Sequence, residues 1–201
     1  MNSGAGAFSQ GGRPEIPPVE VEAWEAIRRS DWGRALALLM EAYGAAVHRF
    51  CLRMVQDPEL ANDMHQTTFV QAYESLAGFK GDALLRTWLY GIARHRCLDA
   101  LKAERRRKAR FEVTDQPPEY AASTFGSAEQ LRDHALGARL EECLGNLSAR
   151  AEEAVLLRYR DGFSYPEMSR ICEELPATLQ ARVARALPVL RRCLRGKGVT
   201  L

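Results

Sequence analysis

The sequence predicts an all-α protein: two helical domains joined by a flexible linker, the second a helix-turn-helix domain. Three observations lead there. Apolar residues recur at helical spacing along most of the 201-residue chain, and no alternating strand pattern interrupts them. A Pro-, Ser- and Gly-containing stretch of weak periodicity, residues 111–134, splits that signal in two. Beyond the split the pattern reads helix, turn, helix, short break, helix. The expected organisation is a disordered tail over 1–18, a first domain over 19–110, a linker over 111–135 and a second domain over 136–201.

Taken in order, Val21, Trp24 and Ile27 mark a short amphipathic helix over 19–33. Leu38, Leu39, Tyr43, Val47 and Phe50 mark a longer one over 35–55. Asp57 is placed to cap the next, and Pro58 at its first position loses no hydrogen bond. That helix runs to about residue 76, and a loop over 77–82 turns around Gly78 and Gly81. A long helix follows over 83–110. Leu85, Trp88, Leu89, Ile92, Ala93 and Cys97 line one face of its first half, and beyond Leu101 it becomes mostly charged, so the basic end projects from the core. In the second domain Ser148 caps a helix reaching about 160, and Asp161-Gly162 turns the chain. Ser164 with Glu167 forms a capping box, behind which Met168 and Ile171 face inward. A break at 174–176 precedes the last helix. Pro188, about three turns into it, is expected to kink or end it, at a cost of ~3 kcal/mol.

The net charge of +2 conceals segregation. From Arg86 to Arg110 only Asp99 and Glu104 oppose the basic residues, and from Leu179 onward no acid occurs at all. Glu112, Asp115, Glu119, Glu129 and Asp133 supply compensating charge between. Two basic surfaces flanking an acidic stretch suit two contacts with one polyanion. Phe79 and Tyr90, beside the basic helix, are candidates for stacking on unpaired bases, whereas Trp88 lies on the apolar stripe. Taken alone, the arginine run is also what a solvated helix end looks like, and a plain three-helix bundle shares the pattern of the second domain.

Some classes are excluded. There is no phosphate-binding Gly loop, nucleophile elbow or metal-ligand spacing, so neither an enzyme nor a metal or cofactor is expected. Cys51, Cys97, Cys143, Cys172 and Cys193 read as buried free thiols of a reducing cytoplasm, with a redox or zinc role the lesser reading. No apolar run of membrane-spanning length and no signal-peptide core is read, which implies a cytoplasmic protein without membrane insertion.

Asp63-Met64-His65-Gln66-Thr67-Thr68-Phe69-Val70 resembles the DLVQETFL signature of extracytoplasmic-function (ECF) sigma factors. Phe79-Lys80-Gly81-Asp82, then Arg86-Thr87-Trp88-Leu89-Tyr90-Gly91-Ile92-Ala93-Arg94, resembles their FRG loop and FRTWLYRIARN segment, and Cys97-Leu98-Asp99-Ala100-Leu101 resembles the end of that helix. Leu147-Ser148, Val155-Leu156-Leu157-Arg158-Tyr159 and Gly162-Phe163-Ser164-Tyr165-Pro166-Glu167-Met168 resemble the family's fourth region. The resemblance implies a bacterial initiation factor with core RNA polymerase and promoter DNA as partners, and an anti-sigma factor as regulator. It places Asp63, Gln66, Thr67, Phe69, Val70 and Tyr73 on the β′ clamp. It places Phe79, Lys80, Gly81, Arg86, Arg94, His95, Asp99, Lys102, Arg105 and Arg106 on the −10 element, with the 79–82 loop holding an extruded base. Thr178, Leu179, Gln180, Arg182 and Arg185 fall on the −35 element, and the second domain also meets the β flap.

The chain departs from the pattern where His95 replaces a usual Asn, Glu173 a usual turn Gly, and Gln180 a usual basic residue, while Glu174 adds further negative charge beside DNA. A second reading is therefore a sigma-like helical regulatory protein that binds polymerase or a regulator but reads promoter DNA poorly.

Overall fold

The structure, a computed structural model, describes residues 16–111 and 128–199. Most of the expected tail and linker, with Glu112, Asp115 and Glu119, lies outside the described residues. The first domain comprises α1 (Pro18–Arg28), α2 (Trp32–Val55), α3 (Pro58–Ser75), a 3-10 turn (Leu76–Gly78) and α4 (Leu85–Phe111). Local sequence sets two of these starts. Asp31 accepts from the Arg34 amide at 3.0 Å and opens α2; Asp57 accepts from the Leu60 amide at 3.0 Å and opens α3, with Pro58 at its first position.

The start of α4 is set from a distance. Its first amides, Leu85 N–H and Arg86 N–H, donate to the Glu20 carboxylate of α1 at 2.7 and 2.8 Å. The Tyr43 hydroxyl of α2 donates to the same carboxylate at 3.0 Å. Glu20 is only 4% exposed, so a single buried acid ties three helices together and offsets the positive end of the α4 dipole. Burial, followed by the charge of Glu20, raises the Tyr43 pKa, which keeps its hydroxyl a donor.

α2 corrects one expectation, since by length and hydropathy it could cross a membrane. Its apolar residues Leu38, Leu39, Val47, Phe50 and Cys51 are instead the centre of the first-domain core, packed against α1, α3 and α4.

The second domain comprises α5 (Ala128–Gly145), α6 (Ala149–Tyr159), α7 (Tyr165–Cys172) and α8 (Pro176–Gly196). α5 begins inside the stretch expected to be linker. Ser148 stands at the α6 N-cap without a side-chain hydrogen bond. The Ser164–Glu167 capping box is complete, and Met168 and Ile171 are fully buried behind it. Pro188 does not end α8, which continues to Gly196. Pro188 and Ala184, four residues earlier, both face solvent, so water can satisfy the carbonyl the proline leaves free, while Ala186, Leu190 and Leu194 stay anchored in the core.

The all-free-thiol expectation fails for two cysteines. Cys143 of α5 and Cys193 of α8 are disulfide-bonded, with Cα atoms 5.7 Å apart, because the two helices bring them together in the small core of Leu144, Val155, Ala186, Leu190 and Leu194. Cys51, Cys97 and Cys172 are buried free thiols. Hydrogen bonding with Cys51, then burial, raises the Cys97 pKa; burial, then Glu153, pushes Cys172 up to about 12. Both shifts favour the thiol over the thiolate at Cys97 and Cys172.

The two domains share one apolar core. Leu89, Tyr90, Ala93 and Cys97 of α4 are continuous with Ala154, Leu157, Phe163, Met168 and Ile171 of the second domain. α7 packs along α4, and the Tyr90 ring meets Phe50 at 5.1 Å on one side and Phe163 at 4.8 Å on the other.

Two measurements test this account. Glu20→Ala removes the carboxylate that serves both α4 amides and should lower the free energy of urea unfolding by about 2 kcal/mol. Cys143→Ser opens a loop spanning 50 residues and should lower second-domain stability in the same assay by up to about 4 kcal/mol relative to the oxidised protein.

Candidate functional site

Three surfaces carry the residues singled out by sequence. On α3, Asp63, Gln66, Thr67, Val70 and Tyr73 recur at three- and four-residue spacing and all face solvent. Val70 is 59% and Tyr73 47% exposed, unusual for such residues on a helix whose other side is packed. Phe69 is buried beneath them, with its ring 5.1 Å from that of His65. Between α2 and α3 lies an open groove of about 700 Å³, walled by Leu36, Met40, Gln66, Val70 and Tyr73. Its apolar floor and polar rim suit a protein partner.

The second surface is the 79–82 loop with α4. Phe79 is half-buried between Trp24, edge-on at 5.4 Å, and Trp88 at 5.0 Å. Lys80 and Gly81 are exposed. Gly81 has φ +76°, and a Cβ there would stand 3.2–3.3 Å from the Trp24 ring, so both backbone and packing require glycine. Asp99 pairs with Arg96 and Lys102, while Arg105 and Arg106 project from the charged end of α4.

Tyr90 is not a surface stacker. It is 2% exposed, and its hydroxyl donates to Asp161 at 3.3 Å; burial, then the charge of Asp161, raises its pKa. Sequence periodicity set Tyr90 apart from the apolar stripe, but its ring packs between Phe50 of the first-domain core and Phe163 of the second domain, a cover that periodicity alone does not reveal. The same cover lies over three −10 candidates. Arg94 donates to Glu153 at 2.6 Å, and although burial works against its charge, the Glu153 carboxylate raises its pKa. Arg86 lies 4.2 Å above the Phe163 ring. His95 Nε2 stands 3.2 Å from Glu173.

The third surface is the start of α8. Thr178, Gln180 and Arg185 are exposed there. Leu179 is fully buried in the core, so its place is packing rather than DNA contact. Both terminal guanidinium nitrogens of Arg182 donate to Glu174, at 3.0 and 2.5 Å, and this hydrogen bonding lowers the Glu174 pKa. Glu173 ends α7 in the left-handed region at φ +57°, the conformation for which glycine is the usual choice. No group of three or more His, Cys, Asp or Glu side chains converges as a metal site among the described residues.

Residues 39–107 match Sigma-70 region 2, and residues 137–187 match Sigma-70, region 4. The RNA polymerase sigma-H factor of Pseudomonas aeruginosa is 30% identical over 178 residues, covering 85% of this chain and 91% of the relative. The ECF RNA polymerase sigma factor SigC of Mycobacterium tuberculosis is 30% identical over 158 residues, covering 79% and 82%. The chain is an ECF sigma factor of the sigma-70 family. The fold is shared with the sigma factor RpoE of Bartonella quintana, solved in complex with the anti-sigma factor NepR (TM-score 0.64, 24% identity, 78% of this chain and 94% of that one). It is also shared with CnrH, solved with the cytosolic domain of CnrY (TM-score 0.62, 23% identity, 88% and 97%). A sigma factor is a transcription initiation factor that binds core RNA polymerase and promoter DNA, and this one carries regions 2 and 4 as its two domains.

Within this sigma factor the loop glycine gives a sharp test. Gly81→Ala should lower the thermal midpoint by several degrees, equivalent to about 1–2 kcal/mol, through the positive φ and the Trp24 contact together; Gly78→Ala, where a Cβ meets nothing within 4 Å, should cost far less.

Proposed function

We propose that this sigma factor docks on the polymerase β′ clamp through the exposed α3 face, grips the melted −10 strand with the 79–82 loop and α4, and reads the −35 element with the start of α8. The observation that carries the reading is the α3 face: Asp63, Gln66, Thr67, Val70 and Tyr73 lie together beside an apolar groove, although nothing in the fold needs Val70 or Tyr73 exposed. Phe69 supports that face from below.

At the −10 element the loop glycine and the Trp24–Phe79–Trp88 cluster form a stiff rim. A flipped base costs a few kcal/mol to unstack, and stacking on such aromatics returns ~1–3 kcal/mol per base, so strand capture needs no fuel and no catalytic step. Lys80, Arg86, Arg94, His95, Asp99 and Lys102 line the path, and Arg105 and Arg106 add phosphate contacts. At the −35 element Thr178, Gln180, Arg182 and Arg185 stand where the positive end of α8 meets the duplex. The β flap is the partner of the second domain, an anti-sigma factor the regulator, and the cytoplasm, where polymerase works, the location.

The decisive experiment measures core binding and promoter opening separately. The triple change Gln66→Ala, Val70→Ala, Tyr73→Ala should weaken binding to core polymerase by roughly tenfold or more, about 1.4 kcal/mol, with an unchanged circular dichroism spectrum. Unchanged affinity would remove the α3 face from the interface. Arg105→Ala with Arg106→Ala should reduce the slope of log affinity against log salt for promoter DNA by about 1 per residue.

A further inference from the structure

The 79–82 loop does little to hold its own shape. Lys80, Gly81 and Asp82 are exposed, and among the described residues no side chain from Lys80 to Leu84 makes a hydrogen bond or ion pair. The constraints come from α1. Glu20 fixes the exit of the loop by accepting from the first two amides of α4. Trp24, one turn further along α1, fixes its middle. The tip of the indole lies against Gly81, with Cη2 and Cζ2 at 3.2 and 3.3 Å from where a Gly81 Cβ would stand. The same ring meets Phe79 edge-on at 5.4 Å, and Phe79 in turn meets Trp88 at 5.0 Å.

From this we infer that α1 is the brace of the base-holding loop, and that Trp24 is a positioning residue for capture of the −10 strand. The inference rests on the reading that the 79–82 loop takes an unpaired base. α1 ends before residue 39, where the match to region 2 begins, and neither the loop motif nor the charge pattern of α4 points to it.

A free loop must order itself before it can hold a base, and its apparent affinity falls with the fraction of time it spends in the right shape. Stacking on one base is a small gain, so a loop already in shape decides whether unpairing is offset. Only an indole does this from α1: the atoms against Gly81 belong to its six-membered ring, and a phenyl ring on the same backbone would fall short of them. Gly81 and Trp24 are thus a matched pair, the missing Cβ leaving the space that the indole fills.

The test uses holoenzyme reconstituted from core polymerase and the full-length chain, on a promoter that the wild-type holoenzyme selects from randomised duplex DNA. Core affinity and the rate at which −10 thymines become reactive to permanganate are read separately. Trp24→Ala should leave core affinity within about twofold and slow opening by roughly fivefold or more. Trp24→Phe, which keeps a ring beside Phe79, should slow opening by about twofold. Gly81→Ala should slow opening strongly in the wild type and less in the Trp24→Phe background, where its Cβ finds room; a general loss of stability would not give that coupling. Val55→Ala removes core volume at the C-terminal end of α2 and lowers stability, and should leave the opening rate unchanged well below its melting temperature. If Trp24→Ala misfolds, the cycle of Trp24→Phe with Gly81→Ala decides alone. Wild-type opening by Trp24→Ala, equal slowing by Val55→Ala, or purely additive effects of Trp24→Phe and Gly81→Ala would overturn the inference. Where Gly81→Ala still slows opening in those cases, the loop keeps its base-holding role; where Gly81→Ala changes nothing either, both readings fall.

Discussion

The structure depends on burial of α4 from two sides. One flank of its first half completes the region 2 core, where Tyr90 meets Phe50; the other takes Phe163 and α7. A helix packed in this way must start at a defined residue, since a slip of one position rotates every side chain by about 100°. Glu20 imposes that start from another helix, and Tyr43 holds the acid in place. The arrangement fixes where the 79–82 loop ends and which α4 residues face the neighbouring domain.

Energetically, the seam between the domains is uneven. His95–Glu173 is half-exposed, and a pair of that kind contributes about 0–1 kcal/mol. Arg94–Glu153 has side chains only 10% and 12% exposed, and losing one partner of such a pair costs roughly 3–5 kcal/mol because the other charge stays buried. The apolar contact of Tyr90 with Phe163 adds area that does not weaken with salt. The seam thus combines one buried ion pair, one aromatic contact and several shallower pairs.

Charge distribution gives the domains their complementarity. Acids on α6 and α7 and at the turn between them, Glu152, Glu153, Glu167 and Asp161, face Arg53, Arg94, Thr87 and Tyr90 of the first domain. A net charge of +2 is therefore the sum of two opposed surfaces rather than the property of a nearly neutral one.

Local rules made much of this legible in sequence. Helical periodicity, Asp57-Pro58, the Ser164–Glu167 box and the Gly162 turn depend on neighbours within four residues, so the helices and their order follow from the chain alone. The family motifs are contiguous strings, which is why both regions could be recognised. What sequence could not supply is contact between distant segments. Glu20 capping a helix 65 residues away, Cys143 meeting Cys193, Tyr90 buried under Phe163 and Arg94 held by Glu153 all arise from how the helices pack. Pro188 belongs with them, because whether a proline ends a helix depends on whether its freed carbonyl meets water or a dry core. Short-range hydrogen bonding and apolar periodicity thus determined the elements, while desolvation and long-range charge pairing, which exist only once the elements are packed, decided which of their faces remain open.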